Sequence, residues 1–197
     1  SGEWGGGSFY SEGGWNFPQA APNYRMSEIL AALLSSQLTR LGDETQTRFE
    51  NGTNLDELLS GTDGISALRP DARITRNAYH IFIFRYHSEG FGGLPRDTFV
   101  KALGAEGIPS SKGYVRGCHQ HPLFLDRDGR EAWPYNRLLT DRDVDYRSMP
   151  CPNTDMLCGD QTIWFSGSFM LDAGPEGKEQ VIEAIEKIRD NLDELLD

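Results

Sequence analysis

The stretch Ala78-Tyr79-His80-Ile81-Phe82-Ile83-Phe84-Arg85-Tyr86 constrains the chain most: β-branched and aromatic residues packed this densely into a short run read as a strand. Helical spacing flanks it on both sides. Upstream, Ser27 can cap and Glu28 follows, after which Ile29, Leu30, Leu33, Leu34, Leu38 and Leu41 recur at the period of a helix. That helix either continues past Gly42 through Phe49, Leu55, Leu58 and Leu59 or breaks in the run Asn51 to Asn54. Downstream, Pro175 to about Leu196 predicts a last helix, with Val181, Ile185, Ile188, Leu192 and Leu195 in register. Between them the sequence predicts a short strand at Ile65 to Leu68 and a helix from Arg96 to Glu106, opened by Pro95 and ended by Gly107. A second strand near Ile108 to Val115, a helix over Pro152 to Asp160 and a strand at Thr162 to Phe165 complete the reading. Sequential β and α elements without repeats predict an α+β fold, or a piece of an α/β one.

A length of 197 residues, 38% of them hydrophobic, suits one globular domain with a core. No run of about 18 apolar residues is present, so no membrane partner is expected. The 30 acidic residues outnumber 19 basic ones, and a net charge of -11 repels phosphate backbones, so no nucleic-acid partner is expected either. Nine carboxylates between Asp172 and Asp197 face three bases there, which reads as a solvated helix face. Three cysteines are an odd number and the start carries no signal-peptide pattern, so the expectation is a chain without a disulfide framework in a reducing cytoplasm. The Asn51-Gly52-Thr53 sequon would matter only in a secreted protein.

Residues 1–22 are rich in glycine and aromatics without an apolar period, and read as a connector entering the fold from elsewhere. A phosphate cradle there would need a strand before it. Cys118 to Tyr146 is polar throughout and reads as a long excursion of the kind that carries function. It opens with Cys118-His119-Gln120-His121, and Cys151 and Cys158 follow, all metal-ligating types. Their spacing fits no closed site, and Cys158 reads as a small core residue, so no metal is expected. Cys118 with His119 or His121 contains the parts of a nucleophilic pair, but adjacency in sequence is not geometry, and no G-x-S-x-G elbow is present. His80, inside the strand pattern, reads as a packed or edge histidine.

The blocks NYRMSEILAALLSSQLTRL, NAYHIFIFRY, RDTFVKALGAEGIPSSKGY, HPLF and MPCPNTDMLCGDQTIWF follow one another in order before the last helix. Together they resemble the C-terminal part of the DegT/StrS family of pyridoxal-phosphate-dependent sugar aminotransferases, whose members include 3-amino-5-hydroxybenzoate synthase-like enzymes. The resemblance covers nearly all of Asn23 to Leu192, and the NYRM start and the EGIP-x-x-x-GY segment are its more specific parts.

The resemblance implies the C-terminal small domain of a type I aminotransferase fold over residues 23–197: a small sheet packed by a long N-terminal helix and a C-terminal helix. It implies pyridoxal phosphate as cofactor, an amino-acid donor, a keto-sugar or cyclic ketone acceptor, and a homodimer with shared active sites. Asn23 would hydrogen-bond the cofactor phosphate across the dimer, where a helix start favours an anion, with Arg25 assisting or anchoring. Tyr114, His119 and His121 would border the acceptor pocket, since phenol and imidazole suit hydroxyl-rich ligands. The covalent lysine has no counterpart. Lys101, Lys178 and Lys187 are expected on exposed helix faces and Lys112 in a turn, so the lysine belongs to a large domain expected upstream of Ser1, and the chain alone is expected to be inactive. A non-catalytic binding or dimerisation module of the same fold, or a family dehydratase with histidine in place of that lysine, stands as the alternative. Without its large domain, the apolar helix from Met26 is expected to drive self-association.

Overall fold

Alternation in one strand organises the larger part of the molecule. The computed structural model describes residues 26–68, 71–120, 148–172 and 175–196. The connector assigned to residues 1–22, together with Asn23, Arg25 and His121, lies outside them. The chain divides into two compact units, one of Ser1–Arg25 and Tyr114–Gly159, the other of Met26–Gly113 and Asp160–Asp197.

The second unit is built on a three-stranded antiparallel sheet in the order β1 (Ile65–Ala67), β2 (Ile81–Tyr86), β3 (Thr162–Ser166). Ile65 sits opposite Tyr86, and Phe84 opposite Ile163. Successive strand residues face opposite sides of a sheet, so Phe82, Phe84 and Tyr86 are buried while Ile81, Ile83 and Arg85 between them are only half-buried. The buried side meets Leu55 and Leu59 of α2 (Leu41–Leu59), Phe99 and Leu103 of α3 (Arg96–Ala105), and Val181, Ile185 and Ile188 of α6 (Pro175–Asp190) in one apolar cluster. Aromatic rings carry it across the strands: Phe84 lies 5.2 Å from Phe165, and Tyr86 4.5 Å from Phe99. The Tyr86 hydroxyl donates to Leu94 O at 2.7 Å, and burial, aided by the Glu89 carboxylate, pushes its phenol well above the usual tyrosine range.

This α+β arrangement matches the fold class read from the sequence, with differences of detail. The long first helix is two: α1 (Glu28–Leu38), capped by Ser27 Oγ accepting from Leu30 N at 3.3 Å, and α2. They separate at Thr39 and Arg40, where Arg40 N bonds back to Gln37 O at 3.2 Å and so tightens the last turn. The Asn51 to Asn54 run stays helical because the tertiary structure uses it. Asn51 Nδ2 donates to Met170 O at 2.8 Å, and Gly52 lies under the Tyr79 ring, where a Cβ would come within 2.6 Å of its carbons. The strand expected near Ile108 to Val115 shrinks to one bridge between Ser111 and Trp164, since Pro109 lacks a donor and Gly113 turns the chain at a φ of 67°. The helix expected from Pro152 to Asp160 is a short α4 (Pro152–Met156) followed by a π-helical turn, Leu157–Gln161. A short helix that the sequence does not announce, α5 (Gly167–Asp172), follows β3, and the last helix breaks at Asn191 before α7 (Leu192–Leu196).

Lys178 corrects a further expectation: it is 6% exposed, not on a solvent face, and its Nζ donates to Asn51 Oδ1 at 3.3 Å. The signal is present in the spacing, because 178 precedes 181, 185 and 188 on the same apolar stripe, and a lysine stem packs as hydrocarbon.

No residue of α1 is buried; Ile29 is 82% and Leu33 56% exposed, with Leu30, Leu34 and Leu38 beside them. A leucine-sized side chain left in water forgoes about 1.5 to 3 kcal/mol of burial. The isolated chain is therefore expected to self-associate through α1, with an apparent mass by light scattering that falls on dilution. A concentration-independent mass of 22.0 kDa without binding of an apolar dye would contradict it.

Candidate functional site

The polar excursion delivers a cluster in the first unit, between the 3-10 turn Cys118–Gln120 and α4. Pro152 at the first position of α4 needs no backbone donor and fixes the helix start, placing Asp155 in the first turn. Asp155 Oδ1 accepts from Gln120 Nε2 at 2.9 Å and lies 3.1 Å from His119 Nε2. The His119 side chain is 16% exposed, whereas that of Asp155 is 42% exposed, so the carboxylate is wet on one side and holds the imidazole on the other.

Gly117 completes the arrangement. A Cβ there would fall 2.6 Å from His119 Nδ1 and 2.6 Å from Thr154 Cγ2, so the bare glycine lets the ring and the start of α4 close on the same turn. The ring is held at Nε2 by the carboxylate, while its Nδ1 and Cε1 edge lies beside Gly117, which has no side chain to cover it.

Of the residues singled out in sequence, His119 stands in this cluster. Tyr114, 43% exposed, belongs to the same unit, while His121, Asn23 and Arg25 lie outside the described residues. Sequence reasoning missed Asp155, Gln120 and Gly117. Asp155 is 35 residues from Gln120, and no periodicity spans that distance. Cys118 is exposed, Cys151 and Cys158 are half-buried, and none of the three is in a disulfide. Among the described residues no group of three or more histidines, cysteines and carboxylates could hold a metal ion. His80 is exposed and precedes β2. The other imidazole pairing, Ser66 Oγ to His87 Nε2 at 2.9 Å, lies in the second unit, where His87 N also bonds Gly64 O at 2.8 Å. It clamps β1 against the end of β2.

The lysines do not fit a covalent cofactor anchor. Lys112 Nζ is taken by Asp97 at 2.7 Å and Lys187 Nζ by Glu106 at 2.7 Å, Lys178 is buried against Asn51, and Lys101 is exposed on α3. The Lys112 ammonium beside Asp97 holds that carboxyl below the usual carboxylate range. Three of the four ammonium groups are thus engaged by side chains of the fold.

Residues 7–157 match the DegT/DnrJ/EryC1/StrS aminotransferase family, and the chain belongs to it. The chain is 28% identical, over 171 residues, to a putative L-glutamine:3-amino-2,3-dideoxy-scyllo-inosose aminotransferase of Micromonospora echinospora, covering 86% of this chain and 40% of that protein. It is 29% identical, over 157 residues, to the 3-amino-5-hydroxybenzoate synthase of Amycolatopsis mediterranei (strain S699), covering 80% of this chain and 37% of the relative. The crystal structure of 3-amino-5-hydroxybenzoic acid synthase superposes with a TM-score of 0.62 at 27% identity, over 87% of this chain and 40% of that one. An aminotransferase from Psychrobacter cryohalolentis shares the fold, with a TM-score of 0.57 at 20% identity. The chain thus spans about two fifths of the length of these relatives.

The Gly117 contact makes one outcome specific. Gly117→Ala forces the ring or Thr154 to move and is expected to cost about 1 to 3 kcal/mol, as overpacking does, whereas Gly159→Ala meets nothing within 4 Å and is expected to cost less. Denaturant unfolding of both variants checks this, and equal midpoints would contradict it.

Proposed function

We propose that the protein carrying this chain transfers an amino group from an amino-acid donor to a keto-sugar or cyclic ketone. Pyridoxal phosphate serves as cofactor, and the protein works as a cytoplasmic homodimer with shared active sites. The observation that carries the reading is membership of the aminotransferase family over residues 7–157. Relatives named for amino transfer to an inosose derivative support the acceptor class, and three cysteines outside any disulfide support a reducing compartment.

In this reading the chain supplies the small domain, residues 23–197, behind a connector of residues 1–22, and does not catalyse alone. The cofactor acts as the electron sink of the reaction. The chain's own residues bind and orient. Asn23 donates its side-chain amide to the cofactor phosphate, and Arg25 assists or anchors the segment. Tyr114, His119 and His121 take hydroxyl groups of the acceptor, for which the Asp155-held imidazole and an exposed phenol have suitable chemistry. The lysine that holds the cofactor comes from the remaining three fifths of the protein, since none of the four described lysines is set for it.

The whole protein, supplied with cofactor and glutamine or glutamate labelled at the transferred nitrogen, is expected to pass the label to a keto-sugar or cyclic ketone, read by mass spectrometry. Retention of the label on the donor with every such acceptor would overturn the reading. In the same protein Asn23→Ala is expected to weaken cofactor retention by about 1.5 to 3 kcal/mol, the usual worth of a hydrogen bond to a charged group. Unchanged cofactor affinity would assign Asn23 to the helix start alone.

A further inference from the structure

We propose that Asp155 is a positioning residue for acceptor binding, acting through His119. The inference rests on the reading above, in which His119 meets a hydroxyl of the acceptor. It goes beyond that reading by assigning the imidazole a tautomer and a direction of hydrogen bonding.

Donor and acceptor capacity sets that direction. An ionised carboxylate only accepts, and a neutral imidazole carries its proton on one nitrogen while the other accepts. Asp155 Oδ1 stands 3.1 Å from His119 Nε2, so the attractive arrangement puts the proton on Nε2. Nδ1 is then the basic edge. Turning the ring over cannot exchange the two nitrogens, since it puts Cε1 where Nε2 stood and loses the contact with Asp155; Gly117, where a Cβ would come within 2.6 Å of Nδ1, has no side chain to cover that nitrogen. Gln120 Nε2, at 2.9 Å from the same Oδ1, stops the carboxylate from rotating away. The exposed side of Asp155 keeps it solvated, so the carboxylate is held without a large desolvation cost. An imidazole fixed in this way presents an acceptor to a ligand and therefore selects a hydroxyl that donates. The same logic orients metal-bound and catalytic histidines, whose second nitrogen is set by its partner.

Two measurements test the proposal. In the chain labelled with nitrogen-15 histidine, NMR is expected to show His119 protonated at Nε2 in its neutral form, and Asp155→Asn is expected to lose that preference while Asp155→Glu keeps it. A ring protonated at Nδ1, or a tautomer indifferent to Asp155→Asn, overturns the positioning role whatever reaction the protein performs. In the whole enzyme, Asp155→Asn is expected to raise KM for the acceptor about tenfold, the scale of one charge-assisted contact. The half-reaction with the amino-acid donor should keep its rate, and Asp155→Glu should recover most of the loss. Asp155→Asn placed on His119→Ala is expected to add nothing further. Equal losses in both half-reactions, or multiplying losses in the double variant, overturn the acceptor role and make Asp155 a stability residue. A correct tautomer in a protein that transfers no amino group overturns the functional reading and the acceptor role with it, and leaves only the Asp155–His119 contact.

Discussion

Burial of one face of β2 is the constraint on which the second unit depends. Phe82, Phe84 and Tyr86 stand on that face, and each is at most 2% exposed. Truncating a buried aromatic of this size in a core costs about 3 to 5 kcal/mol, a large share of the stability of an ordinary domain. Among the described residues the sheet has three strands, and a single sheet cannot cover its own face, so α2, α3 and α6 do so. Polar groups then fasten the covering elements. Arg96, buried at the start of α3, donates from Nη1 to Thr162 O at 3.2 Å, and Asn51 ties α2 to Met170 of α5 and to Lys178 of α6. Outside the core, Arg85 grips Gln161 Oε1 from both Nε and Nη2, at 3.0 and 2.6 Å, and holds the start of β3 beside β2.

Elements set by local pattern are legible in the sequence alone. The alternation of β2, the Ser27 cap and the Val181–Ile185–Ile188 stripe are written in neighbouring residues, and each stands where the pattern puts it. The illegible parts depend on residues far apart in sequence. Asn51 to Asn54 looks like a turn because Asn and Gly favour turns, yet Met170 and Tyr79 hold it in a helix. Tyr79 itself adopts a φ of 42°, unusual for a residue with a side chain, so that its ring can lie on Gly52. The segment after Ile108 carries Pro109 and Gly113, and among the described residues its strand pairing is the single bridge from Ser111 to Trp164.

The candidate site divides along the same line. His119 is visible as a residue type in a polar stretch, while its partner Asp155 reads as an ordinary helix-start carboxylate until the fold brings it within 3.1 Å. Gly117 looks like loop punctuation, and only the seated ring shows why no side chain fits. The charge of Lys178 misleads, although its place in the apolar stripe is available to counting. Family membership adds what neither pattern nor geometry supplies, the kind of chemistry to expect of the whole protein.

Amide hydrogen exchange on the chain at low concentration tests the dependence on β2 most directly, since exchange rates rank local stability. The account predicts the slowest exchange at Phe82, Phe84, Ile163 and Phe165, in paired strands over the buried cluster, and early exchange throughout α1, which has no buried residue. Protection of α1 equal to that of β2 under those conditions, or early exchange of β2 while α1 persists, would contradict it.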